Sequence, residues 1–217
     1  MTAHVRARRY SLGEEIANSV THGLGGLLAI AGLVVLTTFA ALRGSAWHVV
    51  SCAIYGATLV LLYTTSTLYH SLANPRAKAV FRVLDHSAIF LLIAGTYTPF
   101  TLVNLRGGWG WSLFGVIWGL AALGIVFQIG LLRRPAISVL LYVAMGWTVL
   151  IAMKPLIGAI APGGLVLLVA GGLAYTLGVV FYAWRGLPYG HAVWHLFVLA
   201  GSALHFFAVL FYVVPLA

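Results

Sequence analysis

Seven apolar stretches follow one another along this chain, each close to the roughly 20 residues an α-helix needs to cross a bilayer. They run over about 20–42, 46–72, 83–104, 109–131, 136–160, 165–184 and 190–214 of 217 residues, which leaves no room for a separate soluble domain. The charged fraction is 7%, against about 25% in soluble proteins, and 62% of residues are hydrophobic, with mean hydropathy +1.05. The expected fold class is therefore all-α, an integral membrane bundle of seven transmembrane helices. Its 25 glycines suit helices that approach closely in lipid. Two regions are expected: a cytoplasmic tail with an interfacial helix over 1–19, and one seven-helix domain over 20–217. Ser11 is a candidate N-cap, with Glu14 and Glu15 placed favourably in a first turn. Asn74-Pro75 reads as a stop after the second span, Pro99 as a kink in the third, and Lys154-Pro155 as an interruption of the fifth.

The net charge of +9 comes from twelve basic residues against only three acids, Glu14, Glu15 and Asp85. The basic residues sit between the apolar runs, where they set topology and meet anionic headgroups, so nucleic acid is not an expected partner and membrane lipids are. With the N-terminus inside, Arg6, Arg8, Arg9, Arg76, Lys78, Arg82, Arg133, Arg134 and Arg185 fall on the cytoplasmic side, and Arg43, Arg106 and Lys154 on the outer side. That asymmetry predicts a cytoplasmic N-terminus and, after seven spans, an external C-terminus. The basic start is expected to be retained, because no cleavage site is evident before the first span. Cys52 is the single cysteine, which excludes an intrachain disulfide and a cysteine-based metal site.

Within these apolar runs, His191 and His195 stand out in GHAVWHLFVLAGSALH. Residues i and i+4 share one helix face, a spacing that suits two imidazoles on one metal, most often zinc. The pair alone does not decide between ligation and hydrogen bonding in a core. The topology adds weight, because His70 ends the second span, Asp85 starts the third, and the pair starts the seventh, all about 5–10 Å inside the cytoplasmic boundary. Three imidazoles with an open fourth position form the arrangement of a catalytic zinc site. Asp85 could accept a proton from the activated water or hold that water in place, and Ser66 lines the same face one turn from His70. The pair is not a zincin HExxH motif, because Ala192 follows His191 where the glutamate would stand.

The blocks EEIANSVTHGLG (14–25), STLYHSL (66–72), RVLDHSAIFLLIAGTYTPF (82–100) and GHAVWHLFVLAGSALH (190–205) resemble the signature segments of bacterial hemolysin III proteins. Those belong to the progestin and adipoQ receptor family, in a superfamily that includes alkaline ceramidases. The resemblance implies a seven-helix fold in the bacterial inner membrane, with Zn2+ held near the cytoplasm by three histidines. By motif these are His70, His191 and His195, with Asp85 holding the zinc-associated water and Ser66 as the motif serine. His86 departs from the eukaryotic receptors, which have Asp-Tyr where this chain has Asp85-His86.

The other polar residues have structural readings. Glu15, Asn18 and His22 share a helical spacing and suit a structural hydrogen-bond network. His205 reads as a satisfied core histidine, His86 as a packing or interfacial residue, and His48 and His4 as solvent-facing. The resulting expectation is a zinc-dependent hydrolase acting on an amide bond of a lipid at the cytoplasmic side. An alternative is a receptor-like sensor of membrane state, with structural zinc and a lipid as ligand. A pore-forming cytolysin is disfavoured, because no span carries the polar stripe that a water-filled channel requires. Substrate and oligomeric state are not legible.

Overall fold

The computed structural model describes residues 10–129, 135–184 and 186–215. Among them are seven helical spans long and apolar enough to cross a membrane, and no strand. The seven-helix membrane bundle is therefore what the sequence folds into. The elements are α1 (Leu12–Arg43), α2 (Ala46–Ser71), α3 (Pro75–Pro99), α4 (Gly108–Ile129), α5 (Pro135–Trp147), α6 (Met153–Ala159), α7 (Pro162–Ala183) and α8 (Gly190–Tyr212). A π-helical turn, Phe100–Asn104, extends α3, and a 3-10 turn, Thr148–Ala152, joins α5 to α6 as the fifth span.

Local chemistry sets most of these boundaries. Ser11 caps α1 through a reciprocal pair: the Glu14 N–H donates to Ser11 Oγ (3.3 Å), and the Ser11 N–H donates to Glu14 Oε2 (2.8 Å). From this cap α1 runs unbroken through residues 19 and 20 into the first span. Asn74-Pro75 does end α2, but it also starts α3 some eight residues before the expected point. Asn74 Oδ1 accepts from the N–H groups of Arg76 (2.9 Å) and Ala77 (3.1 Å), and Pro75 occupies the first helical position, where its missing N–H costs nothing. Pro99 is followed by the π turn, in which the Leu105 N–H donates to the Phe100 carbonyl at 2.9 Å. The fifth span changes helix type at Thr148, before Lys154, and Pro155 then sits in the first turn of α6, where it is tolerated.

Helices α2, α3 and α8 are the most buried spans. Their apolar windows are 56%, 44% and 39% buried, against 17% for the fifth and sixth spans. Helix α1 packs on α2 and α8 and closes the ring. Along the apolar part of α1 the inward stripe is mostly small (Gly25, Ala29, Gly32 and Ala40, with Leu36), while Leu27, Leu28 and Val34 face outward as lipid contacts. At Gly25 the approach is close enough that a Cβ would lie 2.5 Å from the Tyr63 ring and 2.9 Å from Leu199. Farther along, Ser202 on α8 accepts from Tyr63 on α2 (2.8 Å) and lies 2.8 Å from the Tyr175 hydroxyl on α7. That knot pins three helices in the apolar interior.

The Asp85 end of the bundle carries Arg76, Lys78 and Arg82. The opposite end has an aromatic rim, with Trp47 against Trp111 and Arg106 over the Trp47 ring. The other six basic residues counted toward the cytoplasmic side, and His4, lie outside the described residues.

Candidate metal centre

His70 ends α2, and His191 and His195 begin α8. Antiparallel connectivity puts these helix ends at one side of the bundle, and α1, packed against both α2 and α8, brings them together. The three side chains are buried, and their ligand nitrogens lie within 4.8 Å of one another. Ring centroids are 5.0 Å apart for His70 and His191, 5.3 Å for His70 and His195, and 4.5 Å for the i, i+4 pair. A cluster of this kind could bind a metal ion: imidazole suits zinc, copper, iron and nickel. The donor set fits, because His70 Nε2 is buried and has no hydrogen-bond partner among the described residues. A buried imidazole nitrogen without a partner is costly unless a ligand takes it.

Asp85 and Ser66 line the wall of a cavity that His191 and His195 also line. The cavity measures about 190 Å³ and runs from this wall down the bundle between α3, α5, α7 and α8, past Tyr97 and Trp147 to Leu105 and Met153. Most of its lining is apolar. Asp85 is buried (7% exposed), with its Oδ2 3.8 Å from His86 Nδ1.

His86 differs from its expected position. It lines the same cavity, with Nδ1 donating to the Arg82 carbonyl at 2.7 Å, so it belongs to the polar wall beside Asp85. His22 also differs, because it does not join a hydrogen-bond network. Its ring stacks on His195 (centroids 3.4 Å, planes 12° apart), and neither ring nitrogen has a partner among the described residues. His205 lies deeper in the cavity and is 3.1 Å from the Leu168 carbonyl through Nε2. His48 is half-buried and accepts from the Ser45 N–H (3.0 Å) at the start of α2, well away from the cluster.

Glu15 and Asn18 do join a hydrogen-bond network, as their spacing suggests, but its partners are the clustered histidines, which the sequence does not show. Glu15 Oε2 is 2.7 Å from His70 Nδ1, and Glu15 Oε1 is 2.8 Å from Lys78 Nζ. Asn18 and Thr21 follow along the helix: the Asn18 carbonyl and the Thr21 hydroxyl each lie 3.2 Å from His195 Nδ1. The spacing of Glu15, Asn18 and His22 already marked one helix face. The missing information was that this face turns toward the histidines.

Comparison with known proteins agrees with this architecture. A family profile described as "Haemolysin-III related" matches residues 10–206. "Hemolysin-3" of Bacillus cereus is 49% identical over 218 residues, covering all of both chains. "Hemolysin-3 homolog" of Bacillus subtilis (strain 168) is 49% identical over 206 residues, covering 94% of this chain and 97% of the relative. More distantly, human "Monocyte to macrophage differentiation factor" is 29% identical over 203 residues, covering 90% of this chain and 83% of the relative. No solved structure matches the chain significantly. The matched segment takes in every helix that contributes to the histidine cluster, and on that match the chain belongs to the haemolysin-III-related family of multi-pass membrane proteins.

Proposed function

We propose that the protein is a zinc-dependent hydrolase that cleaves an amide bond in a lipid at the cytoplasmic side of the cell membrane. The reading is carried by one junction: of the three clustered, buried histidines, His191 and His195 line the polar end of a mostly apolar cavity. His70, His191 and His195 would hold the ion. Zinc at that point would supply Lewis acidity, activating a water near neutral pH and polarising a carbonyl. Asp85, on the cavity wall, would orient the attacking water and take its proton. The same carboxyl can return that proton to the departing amine as the C–N bond breaks and the new C–O bond stands. Ser66 would donate a hydrogen bond to the carbonyl oxygen as negative charge develops there. The apolar cavity suits an acyl chain, with the scissile linkage held at the headgroup boundary. Arg76, Lys78 and Arg82 at the same end support a cytoplasmic mouth.

The test is metal analysis of purified protein, followed by mass spectrometry of lipid extracts incubated with wild type and Asp85→Asn. The reading expects about one zinc per chain in both proteins. It also expects a fatty acid and an amine released by wild type only. Tight zinc binding without turnover in any membrane lipid extract would defeat the hydrolase and leave a sensor with structural metal.

A further inference from the structure

Glu15 uses both carboxylate oxygens in the interior edge of the bundle. One lies 2.7 Å from His70 Nδ1 and the other 2.8 Å from Lys78 Nζ. Lys78 is itself fastened, donating to the Tyr69 carbonyl at 2.9 Å. An ionised carboxylate can only accept, so His70 Nδ1 must carry the proton in this contact. That assignment leaves Nε2 as the His70 nitrogen able to bind a metal, and Nε2 is buried without a partner among the described residues. The Asn18 amide lies 3.4 Å from the same Nδ1, a longer contact than the carboxylate makes.

We infer that Glu15 is a positioning residue for the metal centre, fixing the tautomer and ring orientation of His70 so that Nε2 faces the ion. The inference rests on the metal site of the proposed function, and it adds a residue on a helix that supplies no ligand. Its physical basis is general: a carboxylate accepting from the far nitrogen of a ligand imidazole raises the basicity of the ligating nitrogen and locks the ring. Lys78 anchors the carboxylate from α3, so the chain Lys78–Glu15–His70 ties α1, α2 and α3 together beside the cluster. His195 receives parallel treatment from α1. Its Nδ1 faces the Asn18 carbonyl, which can only accept, and this again directs Nε2 toward the ion.

The test is zinc affinity by chelator competition on the full-length protein in detergent, for wild type, Glu15→Gln, Glu15→Asp and His70→Ala. Glu15→Gln should bind zinc about 10–100-fold more weakly than wild type. Glu15→Asp, which keeps the charge, should fall between the two. The cobalt-substituted protein should show an altered ligand-field spectrum in Glu15→Gln. A purely structural glutamate would lower the metal-free melting temperature and leave the zinc Kd and the cobalt spectrum unchanged. That outcome, with His70→Ala unable to hold metal, overturns the positioning role and spares the metal site. A wild type that binds no zinc overturns both. If Glu15→Gln does not fold, a wild-type-like Kd in Glu15→Asp with the side chain one carbon shorter, and no spectral change, also overturns it.

Discussion

Replacing His195 by alanine is the most direct perturbation of the metal centre. Its imidazole is buried (1% exposed), with Nδ1 committed to the Asn18 carbonyl and the Thr21 hydroxyl. Removing it takes one of the three clustered nitrogens and leaves His70 and His191, from different helices. Four-ligand structural zinc sites bind with about 10–16 kcal/mol, or about 2.5–4 kcal/mol per ligand if the total is shared evenly. At about 1.4 kcal/mol per tenfold change, His195→Ala should weaken zinc by about 10²–10³-fold. The assay is zinc content after dialysis, together with Kd by chelator competition. His205→Ala is the matched control: it removes the same side chain from the same helix, away from the cluster, and takes its contacts with the Leu168 carbonyl and the Tyr175 ring. It should retain metal, as should His48→Ala. A His195→Ala protein with full zinc content and a Kd within about threefold of wild type would refute the three-histidine reading, because that is less than about 1 kcal/mol.

Three further outcomes are expected. Asp85→Asn should keep its zinc and lose lipid amide turnover by about 100-fold or more, as befits a lost proton acceptor; full turnover by the variant would remove Asp85 from the mechanism. Reporter fusions in the 73–81, 132–135 and 185–189 segments should read as cytoplasmic and a fusion at Ala217 as external. A cytoplasmic Ala217 would contradict an odd number of spans. Gly25→Val should cost about 1–3 kcal/mol of stability, because the new side chain meets Tyr63 and Leu199 at distances no packing tolerates. Unchanged thermal unfolding in detergent would show that α1 is not held this tightly.

Span number and element type were legible because lipid thickness turns apolar run length into helix count. The histidine pair and its likeness to a metal-binding face were legible for the same kind of reason: i and i+4 must share a side of any helix. His70 joined them because antiparallel connectivity places alternate helix ends at one level. The start of α3 was misplaced because Asn74-Pro75 serves equally as the end of one helix and the cap of the next, and only the Asn74 side-chain bonds distinguish these uses. The surroundings of His86 and His22 are not legible in the sequence, because helical spacing specifies a direction without specifying what stands there.

By itself, then, the sequence determined a seven-helix membrane bundle, the span positions to within a few residues at most ends, and a His pair able to share a ligand. Tertiary structure alone decided how far each helix is rotated about its own axis. In lipid, apolar side chains gain little by choosing a neighbouring helix over an acyl chain, so hydrophobicity does not fix that rotation. Close packing does. The fit of Gly25 against Tyr63 and Leu199, and the Ser202 knot with Tyr63 and Tyr175, lock the neighbouring helices. With α1 held in that rotation, Glu15 meets His70, Asn18 and Thr21 meet His195, and His22 stacks on the same ring.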